Sequence, residues 1–246
     1  MHAIEISGLT HRFGRNAPVL SEVDMTVPAG AIYGFLGPNG AGKTTTLRVI
    51  LGLLRRQVGR VRVLGLSLDE HREAVLSKVG SSIETPSIYG SLTAAENLDV
   101  WRLVQGCDRL RIGPTLELVG LADTGQKRAD QFSLGMKQRL SIAIALLHEP
   151  TLLILDEPTN GLDPHGIIEV RSMLRRLNRE GITILVSSHL LAEIEKLVTH
   201  LGVIHRGRMV FEGTLAELAA RQPPGVSRDL EATFLDLIGL EVDGPA

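Results

Sequence analysis

The stretch GPNGAGKTT, Gly37 to Thr45, constrains the fold more than any other part of this chain. It follows the apolar run GAIYGFLG and leads into KTTTLRVILGLL, which has the spacing of a helix. Gly37, Gly40 and Gly42 give the loop the freedom to turn successive backbone N–H groups inward. The helix N-terminus that follows adds positive potential, so the place suits an anion. The pattern G-x-x-x-x-G-K-[ST] supplies two more groups. Lys43 would reach the β- and γ-phosphates of a nucleotide, and Thr44 would offer its hydroxyl to Mg²⁺. Pro38, Asn39, Ala41 and Thr45 complete the wrap. An ordinary glycine-rich turn is the plain alternative, and the strand–loop–helix setting argues against it.

Other apolar runs are short. AIEI, VDMTV and RVRVLG read as strands; TLLILD and GITILVSSH are continuous runs with polar ends. Continuous runs of this length suit strands buried on both faces, hence a mainly parallel sheet in an α/β fold. HGIIEVRSMLRRLNRE suits a crossover helix buried through Ile167, Ile168, Met173, Leu174 and Leu177. The middle of the chain differs. SLTAAENLDVWRLVQG has Thr93 and Glu96 at capping-box spacing, and its helix is expected to bury Leu98, Trp101 and Leu103 or Val104 and to stop at Gly106. Pro114 marks another helix start. Residues 88–135 therefore read as a helical insert. In the tail, GTLAELAARQPPG holds a second Thr-x-x-Glu cap and a double-proline break, and RDLEATFLDLIG a last amphipathic helix.

Composition narrows the rest. The net charge of −2 and the lack of a long basic block argue against a nucleic-acid surface. Arg55, Arg56, Arg60 and Arg62 cluster and read as a solvated turn before a strand. A single cysteine, Cys107, excludes an internal disulfide, fits a reducing compartment and is expected to be a free buried thiol. No signal peptide is visible in MHAIEISGL, and no apolar run approaches the roughly 20 residues of a membrane helix.

Three further places carry chemistry. In LLILDEPTNGLDP, Asp156 follows an apolar strand, where open α/β sheets bind ligands. Its carboxylate suits the Mg²⁺ shell, and Glu157 is placed to take a proton from, or to orient, a water attacking the γ-phosphate. His189 ends the run ITILVSSH; read alone it is structural, but with the phosphate loop a γ-phosphate contact is the better reading. In QFSLGMKQRLSIAIALLHEP, Ser133 and Gly135 precede a long helix and make a second anion-type site. Either that helix is merely capped, or it serves a nucleotide bound to another copy.

In this order, the motifs resemble those of the ATP-binding subunit of an ABC transporter, from about residue 3 to 215. Gly37–Thr45 match the Walker A loop and LLILDE the Walker B strand. FSLGMKQR stands where the family has its LSGGQ signature, with Phe132, Leu134 and Met136 departing from it and Ser133 and Gly135 kept. NGLD, ending at Asp163, resembles the D-loop, and His189 the switch histidine. Phe13 stands where the family stacks an aromatic on adenine; a core aromatic is the other reading. The family usually has glutamine where KVGSSIETPSIYG has Glu84. Ionised glutamate only accepts hydrogen bonds, so Glu84 either approaches the metal or its waters, pairs with a basic group of a membrane partner, or is a tolerated swap. Pro86 would hold Thr85 extended. With its neighbours, Glu84 is similar to the lantibiotic and bacitracin self-immunity exporters.

The resemblance implies a P-loop NTPase fold with an N-terminal antiparallel β subdomain and an inserted α-helical subdomain. The ATPase domain would span 1–215 and a helical tail 216–246. It implies ATP and Mg²⁺ as ligands and a head-to-tail dimer, of identical copies or with a second ABC ATPase, in which Ser133 and Gly135 act in trans. The partner would be an integral membrane permease and the location cytoplasmic, at the inner face of the cell membrane. The cargo would be an antimicrobial peptide or other amphipathic compound. Competing readings are a soluble ABC ATPase acting on ribosomes or DNA, and a nucleotide-sensing module that does not hydrolyse ATP. A single motif set, a short insert and the intact Glu157 and His189 weigh against both.

Overall fold

In the computed structural model, residues 1–14, 17–84, 88–221 and 230–239 are described. The expected Thr85–Pro86 conformation and the double-proline break at 223–224 lie outside them. The chain divides into two compact units, Met1–Arg72 with Leu185–Ala246, and Glu73–Ile184.

The first unit opens with β1 (His2–His11) and β2 (Leu20–Pro28). Then come β3 (Ile32–Leu36), α1 (Lys43–Ile50), β4 (Val58–Val63) and β5 (Leu66–Ser67). One antiparallel sheet has the order β2-β1-β4-β5. Its pattern is alternation with a slip: Ile4, Ile6 and Leu9 are all buried, although Leu9 is out of step. A bulge at Gly8, whose φ is +60°, absorbs the extra residue. Arg55, Arg60 and Arg62 of the arginine cluster are exposed, as a solvated turn requires, and Arg56 is half-buried. Arg56 forks onto Asp69 and donates from Nε to the Gly59 carbonyl at 2.7 Å.

The second unit holds α2 (Arg72–Leu76, starting at the division), β6 (Val79–Ser82), α3 (Ala94–Gln105) and α4 (Ile112–Leu118). It continues through α5 (Leu134–Leu146), β7 (Leu152–Leu155) and α6 (Pro164–Arg179). β6 and β7 are parallel, with Val79 opposite Leu152 and Ser82 opposite Leu155. β7 is buried along its whole length, as a continuous apolar run requires. Gly80 lets α5 close onto β6: a Cβ there would stand 2.2 Å from the Ala145 carbonyl oxygen.

The described regular elements between β6 and α5 are helical. In α3 the capping box forms as read: the Thr93 hydroxyl accepts from Glu96 N–H, the Glu96 carboxylate accepts from Thr93, and Gly106 closes the helix at φ +70°. The buried face differs from expectation. Ala94, Asn97 and Leu98 are buried, while Leu103 and Val104 are 64% and 71% exposed. Counting 100° per residue from Leu98, both fall well off the buried stripe. Ile168 in α6 is likewise 62% exposed, on the side of the helix opposite the buried stripe of Val170, Met173, Leu174 and Leu177. Pro114 sits inside the first turn of α4 rather than at its first residue; no intrahelical bond is lost there. Cys107 is free and half-buried.

β8 (Thr183–Ser188) carries the chain back into the first unit. There follow α7 (Leu191–Ile194), β9 (His200–His205), β10 (Arg208–Thr214), α8 (Leu215–Ala219) and α9 (Leu230–Leu237). β9 lies parallel to β3 and antiparallel to β10. The second expected capping box, Thr214 with Glu217, is formed.

Candidate nucleotide site

In the first unit the loop leaves the end of β3. Gly37 N–H donates to the Ser188 carbonyl at 3.2 Å, which sets the loop start beside the residue before His189. No other residue fits at 37, because a Cβ would stand 2.3 Å from the Ile204 backbone oxygen. The loop then turns on itself through Ala41 N–H to the Pro38 carbonyl, 3.1 Å, with Gly40 and Gly42 at φ +80° and +113°. Gly207 N–H donates to the Ala41 carbonyl at 2.9 Å and holds the far side.

α1 starts at Lys43 with Gly42 as its cap, a residue that has no side chain to cap the first turn. That is the arrangement of an anion site. Lys43 is buried, and its Nζ donates to the Gly37 carbonyl at 2.6 Å. The amine thus lies back over the loop it would share with a phosphate. Thr46 Oγ1 donates to the Gly42 carbonyl at 2.9 Å and braces the turn, while Thr44 and Thr45 are half-buried. His189 is half-buried just past β8, where Leu190 N–H donates to Ser188 Oγ at 3.0 Å. Phe13 is 44% exposed and meets the His11 ring edge-on, so it is not a core aromatic.

The second unit carries the acidic residues. Asp156 follows β7, and its N–H donates to the Ser82 carbonyl at 2.9 Å. Glu157 adopts φ +49°, and its carbonyl accepts from Asn160 N–H at 3.1 Å. Asp163 caps α6, accepting from Gly166 N–H at 2.8 Å. Ser133 is exposed and caps α5, accepting from Met136 N–H at 3.2 Å. Gly135 is half-buried in the first turn of α5. Glu84 is exposed, with φ +61°.

One buried contact in this unit is not evident from sequence. Ser82 Oγ and Ser141 Oγ lie 2.7 Å apart and join β6 to α5. The only signal was a serine in the otherwise apolar run LSIAIALL.

Among the described residues, no three His, Cys, Asp or Glu side chains gather to hold a metal by themselves. Hydroxyl and carboxylate oxygens are nevertheless the hard donors Mg²⁺ takes, and it is ordinarily held by one or two protein groups plus water and substrate phosphates. The Thr44 hydroxyl in the first unit and the Asp156 carboxylate in the second are each donors of that kind.

Comparison with known proteins identifies the family. The family model described as ABC transporter matches residues 20–160. The bacitracin transport ATP-binding protein BcrA of Enterococcus faecalis is 47% identical over 222 residues, covering 89% of this chain and 72% of that protein. The lantibiotic transport ATP-binding protein SrtF of Streptococcus pyogenes is 42% identical over 209 residues, covering 85% of this chain and 90% of that protein. A solved structure of the ATP-binding subunit of an ABC transporter superposes with a TM-score of 0.82 at 31% identity, over 96% of this chain and 99% of that one.

Proposed function

The chain belongs to the ABC transporter family, as an ATP-binding, ATP-hydrolysing subunit, and from that premise we propose that it powers an exporter of peptide antibiotics or similar amphipathic compounds. The observation that carries the cargo class is the extent of similarity to one protein named for bacitracin transport and another named for lantibiotic transport. The Glu84 position agrees with that reading.

The chemistry follows from the residues. The Gly37–Thr45 loop and the start of α1 cradle the ATP phosphates, and Lys43 swings from the Gly37 carbonyl to the β- and γ-phosphate oxygens. Thr44 and Asp156 would hold Mg²⁺, directly or through water, and the ion would supply positive charge against the phosphate oxygens. Glu157 orients the attacking water and accepts its proton. His189 steadies the γ-phosphate, and Phe13 stacks on adenine. Ser133 and Gly135, with Asp163, act on the nucleotide of a partner copy, so that ATP binding closes a head-to-tail dimer and hydrolysis reopens it. Glu84 lies beside the metal waters or meets a basic group of the membrane subunit.

Among the described residues no helix is long and apolar enough to cross a membrane. In the proposed reading the spanning permease is a separate partner and this subunit works at the inner membrane face.

The test is Glu157→Gln in the purified chain. ATP affinity is expected to stay within about twofold while turnover falls by about 10²- to 10⁴-fold, the range a general base contributes. Brisk hydrolysis by that variant removes Glu157 as the base. The cargo is tested by deleting the gene: raised sensitivity to bacitracin or a lantibiotic is expected, and unchanged sensitivity to all such peptides rejects the cargo class.

A further inference from the structure

The signature-like stretch departs from the family's LSGGQ at Leu134, which stands where a glycine would. As the first residue of α5 it lies between Ser133 and Gly135. Its side chain does not join the core: Leu134 is 53% exposed. What it touches is the turn before α6. Leu134 Cδ2 stands 3.1 Å from the place a Cβ on Gly161 would take, and Gly161 is held at φ +74°. The reciprocal contact lies beside it, with Leu162 Cδ2 at 3.9 Å from the Cβ position of Gly135. Each leucine thus lies over a glycine of the other element.

Further along, Arg139 of α5 pairs with Glu169 of α6 at 3.7 Å and donates to the Gly120 carbonyl at 3.3 Å. Contacts at the helix starts and again further along fix both position and direction of α5 against α6. The starts matter most, because Ser133 and Asp163 cap them and Leu134 is wedged where they meet. A glycine at 134 would open this place to solvent and lose the leucine's contacts with the turn.

We propose that Leu134 is a positioning residue that locks the start of α5 to the Asn160–Asp163 turn, so that Ser133, Gly135 and Asp163 reach the partner's nucleotide as one rigid piece. This rests on the head-to-tail reading above. In this chain the spacing of the pieces offered in trans is set by a side-chain wedge within one copy.

The test is a double-mutant cycle on ATP hydrolysis by the full chain, using Leu134→Ala, Gly161→Ala and their combination. Strain from a positive φ at 161 is the same with or without Leu134, so it cancels in the cycle; the Leu134 contact does not. Gly161→Ala should lower kcat about fivefold more when Leu134 is present than when it is alanine. Nucleotide affinity of the monomer should not change, and Leu134→Met should restore kcat toward the parent. Equal effects of Gly161→Ala in both backgrounds overturn the proposal. So does a Leu134→Ala variant whose monomer affinity and melting temperature fall with its rate. ATP-driven dimerisation of the Glu157→Gln chain separates the layers. If dimers form and the cycle is additive, the Leu134 role alone fails; if no dimer forms, the head-to-tail reading fails and takes this role with it.

Discussion

Ser82→Ala should cost this protein more than Ser82→Ala and Ser141→Ala together. The two hydroxyls are buried and 2.7 Å apart, one at the end of β6 and one in the middle of α5. Removing Ser82 Oγ loses a hydrogen bond worth about 1 kcal/mol net and leaves the Ser141 hydroxyl in a site where an unmet polar group costs about 1–3 kcal/mol. A loss of about 2 kcal/mol is therefore expected, partly because Ser141 can turn its hydroxyl toward its own helix. For a chain of this length that lowers Tm by about 4–8 °C. Removing both oxygens takes away the bond and the orphan together, and the double variant should lie within about 0.5 kcal/mol of the parent. Urea unfolding of the parent, both single variants and the double variant gives the cycle directly. If the double variant loses the sum of the two single losses, the hydroxyls do not satisfy one another and the reasoning fails. The outcome bears on the site, because the Ser82 carbonyl receives the Asp156 N–H. A shift of β6 on α5 should therefore also lower hydrolysis in the single variants and spare it in the double.

Gly37→Ala should abolish ATP binding rather than merely weaken the fold, since its Cβ would meet the Ile204 backbone oxygen at 2.3 Å and push the loop off β9; near-parental nucleotide affinity in that variant would contradict the loop geometry. Thr93→Ala should cost about 1 kcal/mol, the usual worth of a helix cap, read by thermal unfolding, with Gly106 still closing the other end of α3. Hydrogen bonds from the Thr93 backbone N–H and hydroxyl hold the Glu96 carboxyl below its ordinary value. A depressed carboxyl pKa stabilises the fold fully above the unfolded value and loses that contribution as pH falls through the folded one. Acid unfolding below about pH 4 should therefore be blunted in Glu96→Gln relative to its own neutral-pH stability; an unchanged acid limb would refute the linkage.

Several elements were legible because one physical cause dominated each. β3 and β7 are buried along their lengths, and a continuous apolar run has no other soluble home. The two capping boxes are local and could be read from spacing alone. Where two patterns competed, the sequence was ambiguous. Leu103 and Val104 are apolar but off the helical stripe set by Leu98, so hydrophobicity pointed inward while geometry pointed out. Arg56 belongs to a charged run that reads as solvated, yet it forks onto Asp69, a partner that only the β4–β5 hairpin brings near. The Ser82–Ser141 pair and the Leu134–Gly161 contact join segments far apart in sequence, and no local rule anticipates them.

The candidate site adds a kind of information that residue identity conceals. Glu84 and Glu157 both adopt left-handed backbone, at φ +61° and +49°. Outside glycine and asparagine this conformation costs about 1–2 kcal/mol per residue, so a glycine would be the less strained occupant of either place. The flanking geometry shows why the cost is tolerated at 157. Asp156 is pinned by the Ser82 carbonyl and Thr159 begins a turn closed by Leu162 N–H, so the chain must reverse at 157, whichever residue stands there. A glycine would make that reversal without strain but would carry no carboxylate at the end of β7. The backbone at 157 favours glycine, yet this chain supplies an acid there, and what the acid adds beyond glycine is a carboxyl group at the end of β7. Glu22, Leu64, Glu149 and Arg206 share the left-handed conformation, so the backbone angle points to Glu157 only in combination with its place after an apolar strand.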